Sequence, residues 1–126
     1  MLVVAALFAV VLLAAWQRDS DTCTDSVKDV LFAIRDDESA IEDATDRVEE
    51  ECEGSGRLVD AGGVLFQHGH PEAAARILRE AVDREPESFS AWAGLAAVLR
   101  DGGDADEAAG AAARARSLNS YYAVRD

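Results

Sequence analysis

Any bond-making or metal chemistry in this sequence would have to draw on two cysteines, two histidines and a large surplus of carboxylates. His68 and His70 flank Gly69 in a His-x-His spacing that can hold a metal ion. Their neighbours give them a plainer use. Gly69 ends one helix, His70 takes the cap position, and Pro71 opens the next helix as a first-turn proline. Asp101-Gly102-Gly103-Asp104-Ala105-Asp106 has calcium-loop chemistry but lacks the EF-hand spacing and its distal bidentate glutamate. A helix stop followed by a cap explains it better. Gly54-Ser55-Gly56 lacks the third glycine and the preceding strand of a phosphate-binding loop. No histidine adjoins a cysteine, and no serine sits in a nucleophile elbow. The sequence therefore reads as a non-enzyme, with no catalytic residue, cofactor or metal site.

The cysteines point to structure. Cys23 and Cys52 lie symmetrically about residues 37 and 38. One long helix from Thr24 to Glu51, with an apolar pattern through Val27, Ile34, Ile41 and Val48, would hold them ~40 Å apart. A hairpin turning at Arg35-Asp36-Asp37-Glu38 brings them together, within disulfide reach. Ser39 with Glu42 offers a capping box for the second helix. The symmetry favours the hairpin and a Cys23–Cys52 bond, which for a loop of this size contributes ~3 kcal/mol. Such a bond belongs to an oxidising compartment, so the body is expected outside the cytoplasm.

The charges are unevenly spread. The 126 residues carry 25 acids and 12 bases, for a net charge of −13, and Lys28 is the sole lysine. Residues 19–53 hold 14 acids against three bases. This balance disfavours DNA or RNA as a partner, because phosphate binding draws on clustered Lys and Arg. A solvated acidic face is the usual use of such a run. About 100 residues after the apolar N-terminus suffice for one small domain.

Met1 to Trp16 carries no charge at all. Sixteen helical residues span roughly 24 Å, less than the ~30 Å hydrocarbon core. A secretory signal needs a basic start, and nothing basic precedes Arg18, so cleavage is not expected. Trp16-Gln17-Arg18 has the character of an interfacial anchor. Leu2, Ala5, Ala9, Leu13 and Trp16 are read as a membrane or assembly helix, with Ala5 and Ala9 spaced for close helix–helix approach.

Residues 55–122 repeat. Gly62, Leu65, Gly69, Ala74, Leu78, Ala81 and Pro86 stand 34 residues before Ala96, Leu99, Gly103, Ala108, Ala112, Ala115 and Ser120. Each unit reads as helix, turn, helix. Trp92, Leu95, Ala96 and Leu99 fall at helical spacing, Gly102-Gly103 stops that helix, and Asp104 with Glu107 forms a capping box. The pattern resembles the tetratricopeptide repeat (TPR), whose period is ~34 residues. Its motif is carried by Trp92, Leu95, Ala96, Leu99, Ala108 and Ala112, and earlier by Leu58, Ala61, Gly62, Leu65, Ala74, Leu78 and Pro86. One further period back, Val27, Leu31, Ala40 and Ala44 land on core positions, while Lys28 and Arg47 replace small residues.

The expected fold is all-α: an N-terminal apolar helix followed by a short TPR-like α-solenoid of about three helical hairpins. The units are residues 1–18 (apolar anchor or assembly helix), 19–54 (acidic degenerate hairpin), 55–88 and 89–122 (repeats), and 123–126 (tail). The resemblance implies an interaction scaffold whose first helices line a groove. Here that groove offers Asp25, Asp29, Val59, Gly63, Ala93 and Ala97, acidic at one end and small and apolar at the other, which suits an apolar or basic segment. The Ala-rich last helix and Tyr121 and Tyr122 are read as a contact for another chain. The expected role is a membrane-anchored, extracytoplasmic adaptor that binds a protein partner or copies of itself, with residues 1–16 in the membrane. The alternative is a subunit of a cell-surface filament, similar in plan to type IV pilins, that polymerises through its apolar helix.

Overall fold

The structure, a computed structural model, describes residues 2–119, the side chains of residues 2, 3, 16 and 18–20 excepted. Among the described residues six helices follow one another: α1 (Leu2–Ala33), α2 (Glu38–Glu51), α3 (Ser55–Gln67), α4 (Pro71–Arg84), α5 (Phe89–Asp101) and α6 (Ala105–Leu118). They pack as three hairpins, α1 on α2, α3 on α4 and α5 on α6. Successive hairpins stack through α1 on α3, α3 on α5, and α4 on both α2 and α5. The all-helical hairpin architecture expected from the repeat is the one observed.

Local chemistry sets the helix ends. Gly69 and Gly103 adopt φ +86°, the left-handed conformation that closes α3 and α5. Pro71 occupies the first turn of α4 behind His70. Two caps differ from expectation. Asp37, not Ser39, caps α2: its backbone is extended and its carboxylate accepts from the Ala40 N–H at 2.9 Å, which leaves Ser39 inside the helix. At α6, Asp104 accepts from the Glu107 N–H at 3.3 Å, but the reciprocal half of the box is absent. The Asp104 N–H donates to Leu99 O, and the Glu107 carboxylate is held by Arg79.

The core runs through all three hairpins. Leu58, Leu65, Ile77 and Leu78 are its largest fully buried side chains. α4 supplies its densest face, burying Ala74, Ala75, Ile77, Leu78, Ala81 and Val82. Leu78 reaches the bare backbones of two first helices. A Cβ built on Gly62 would stand 2.8 Å from Leu78 Cγ, and one on Gly94 3.2 Å from Leu78 Cδ2. A methyl group at Gly62 would press on the Leu78 side chain, which would have to shift to admit it.

Residues 17–22 contain neither Gly nor Pro, so nothing stops the helix, and α1 continues unbroken from the apolar stretch into the acidic hairpin. Residues 4–15 are exposed, with Val4, Leu7, Phe8, Val10, Val11, Leu12 and Leu13 at 57 to 70%. Cys23 is the first buried residue among those described. Among the described residues no helix is long and apolar enough to cross a membrane.

Candidate functional site

The face expected to line the groove runs along α1, α3 and α5. Asp25 and Asp29 lie on α1, Val59 and Gly63 on α3, and Ala93 and Ala97 on α5, each pair four residues apart and so on one side of its helix. Val59, Gly63, Ala93 and Ala97 are half-buried, and a Cβ on Gly63 would meet nothing within 4 Å. The acidic end is less acidic than its sequence. Lys28 pairs with Asp25 at 3.0 Å, and Arg47 reaches from α2 to Asp29 at 3.3 Å. Three further residues continue the same stripes three positions on: Phe32, Phe66 and Arg100, themselves one period apart. Phe32 is 67% exposed, an unusual position for phenylalanine, while Phe66 packs partly against the core. The sequence reading missed them, although the repeat offset applied to the groove residues finds them. The face is therefore small and apolar in the middle, with aromatic rings along one border.

The remaining sequence-derived positions fall as follows. Gly62, Leu65, Ala74, Leu78, Leu95, Leu99 and Ala108 are buried. Trp92 and Ala112 are half-buried, and Pro86 sits in the exposed turn between hairpins, where its carbonyl accepts from Trp92 Nε1 at 2.9 Å. Ala5, Ala9 and Leu13 are exposed on α1. Tyr121 and Tyr122, the side chains of Leu2 and Trp16, and residues 123–126 lie outside the described residues.

Polar contacts between hairpins hold the face in register. Arg76 on α4 donates to Asp46 and, through Nε and Nη2 at 3.1 and 2.9 Å, to Glu49 on α2. Arg84 donates to the Glu49 and Cys52 carbonyls at the end of α2, groups that α2 itself leaves without partners. Thus the acidic α2 is matched by two arginines of the next hairpin. Arg79 makes a paired contact with Glu107, 2.9 Å at both bonds, tying α4 to α6 and lowering the Glu107 pKa.

The start of α3 is capped from a distance. Gly54 provides no side chain, and Glu85 takes over. Its carboxylate accepts from the Ser55 hydroxyl at 2.7 Å and the Ser55 N–H at 3.1 Å. Those bonds, the hydroxyl's first, hold the Glu85 pKa below its ordinary value. The sign follows: the contribution is full above the ordinary carboxylate range and is lost as pH falls through the lowered pKa. The melting-temperature gap between wild type and Glu85→Gln should accordingly be widest near neutrality and close in acid. A gap that stays constant from neutral to acidic pH would show that the carboxylate charge is not the cap.

Among the described residues, two surface depressions adjoin α4. One of about 250 Å³ is lined by Pro71, Ala75, Arg79, Val98, Leu99 and Asp104, among others. The other, about 200 Å³, has Ile41, Thr45, Ala73 and Arg76 among its walls. Their central polar groups are already engaged: Arg79 with Glu107, Arg76 with Asp46 and Glu49, and Thr45 with the Ile41 carbonyl at 2.7 Å.

Stacked helical hairpins with a continuous face of first helices and small residues at the closest approaches define a helical-repeat interaction module. Residues 59–123, just over half of the chain, match the tetratricopeptide repeat family, and the protein belongs to it. No curated protein matches the chain.

Proposed function

We propose that this protein is a membrane-anchored adaptor with its body outside the cytoplasm, gripping an apolar segment of a protein partner along α1, α3 and α5. The observation that carries the reading is the division of α1. Its second half packs into the solenoid, while residues 4–15 are apolar on every side and exposed. A helix apolar all round is stable in water only when lipid or protein covers it. Anchoring here means insertion of residues 1–16 into the bilayer, since their ~24 Å falls short of the ~30 Å hydrocarbon core. The Cys23–Cys52 bond supports an oxidising location. The pairing of Asp25 and Asp29 with Lys28 and Arg47 favours an apolar occupant over a basic one.

The test is crosslinking in washed membranes, comparing wild type with Gly63→Glu. The new carboxylate enters open space, so the melting temperature should stay within a few degrees while the crosslinked partner disappears. Equal recovery of the partner by both proteins would exclude the face as its binding site. The second reading, a filament subunit, is favoured by the same unbroken α1, which joins an apolar rod to a folded head. Enrichment of the wild-type protein in sheared surface material, with little in washed membranes, would select it.

A further inference from the structure

The Cys23–Cys52 bond stands where the apolar rod meets the solenoid, and the hairpin it closes differs from the other two. Cys23 is the first buried residue of α1 among those described, and Cys52 caps the end of α2, with their Cα atoms 4.8 Å apart. Around the bond, the buried Ser26 hydroxyl donates to Thr22 O and to Glu51, and Arg84 donates to the Cys52 carbonyl. One covalent link therefore ties the rod to α2 at the point where α4 also grips α2.

The interior of this hairpin is thin. Its buried apolar side chains besides the two cysteines are Val30, Ala33, Ile41, Ala44 and Val48, with no leucine or aromatic ring among them. The two later hairpins bury Leu58, Leu65, Ile77, Leu78, Leu95 and Leu99. Residues 19–53 also carry 14 acids against three bases, a self-repulsion that Arg76 of α4 offsets at Asp46 and Glu49. In a solenoid each unit is held by its own interior and its neighbours. Among the described hairpins this one and the α5–α6 hairpin each have a neighbour on one side only, and of these two end units this one has the thinner interior and the larger excess of acids.

We propose that the Cys23–Cys52 bond is a redox lock on the first hairpin alone. Oxidised, it keeps the rod fixed to a three-hairpin stack. Reduction adds two electrons and two protons, supplied by a dithiol that becomes a cyclic disulfide, and leaves two thiols. Residues 19–54 then open locally, while residues 59–118 remain a folded pair of hairpins. The rod and the acidic end of the groove come free of the head together. The inference is independent of what covers the rod and of what the groove holds.

The experiment is hydrogen exchange read by mass spectrometry on the full chain, oxidised, dithiol-reduced, and as the double variant Cys23→Ala/Cys52→Ala. The variant is included because both sulfurs are buried, which slows reduction. Loss of the staple from a loop of this length should speed exchange in residues 24–51 by about 10²- to 10³-fold. Exchange in residues 59–118 should change less than threefold. Unchanged protection of residues 24–51 in the double variant would overturn the lock, because the hairpin then stands without it. Equal loss across residues 24–118 would also overturn it, because the bond then serves the whole fold.

Discussion

Replacing Leu78 with alanine is expected to destabilise the solenoid by about 4 kcal/mol, within the 2–5 kcal/mol that buried Leu→Ala changes span. The upper part of that range applies because Leu78, 1% exposed, wedges against Gly62 of α3 and lies close to Gly94 of α5. Neither glycine has a side chain to move into the void. Total stabilities of about 5–15 kcal/mol make this a large fraction of the whole, read as a shift in the urea midpoint. Gly62→Ala alone sets two effects against each other. It gains up to about 1 kcal/mol of helix propensity and loses about 1–3 kcal/mol to overpacking, so a net loss is expected. In the Leu78→Ala background the added methyl enters the cavity, and the same change should become stabilising. Strict additivity of the two substitutions would show that Leu78 and Gly62 do not press on each other.

The repeat was legible because its information is periodic. Small residues one period apart can only mean repeated close approaches, and the positive-φ glycines mark the turns directly. The first hairpin, where the repeat decays, was legible through the symmetry of Cys23 and Cys52. What the sequence hid were side chains acting at long range. Asp37 and Ser39 both precede Glu-containing turns, and only the observed start of α2 at Glu38 makes Asp37 the cap. Nothing local signals that Glu85 caps α3, that Arg84 satisfies the end of α2, or that Glu107 turns to Arg79 instead of its own helix. Each of those partners lies roughly one repeat away. Ion pairing along the groove is hidden too: Asp29 has no partner in the local sequence, and only the folding of α2 onto α1 brings Arg47 beside it. The boundary drawn after residue 18 follows a change of polarity, and a change of polarity does not end a helix. Only a residue that cannot continue it, or a cap, does so.

Putting two lysines into the rod, Phe8→Lys with Val11→Lys, should release the protein from washed membranes. Both side chains are exposed, at 68% and 64%, so the body has no contact to lose and its melting temperature should not move. A lysine near the bilayer centre is unfavourable by about 2.5–3.5 kcal/mol, and the apolar residues it replaces are themselves favourable there. Two together amount to about 6 kcal/mol, or roughly a 10⁴-fold fall in partitioning. Wild type and Gly63→Glu should stay in the pellet while the double-lysine variant moves to the supernatant. The pairing tests the two proposed roles separately: Phe8 and Val11 on the rod for where the protein resides, and Gly63 on α3 for what the face holds. Retention of the double-lysine variant with the membranes would show that the groove, through its partner, recruits the protein there, and that the rod is covered by another chain.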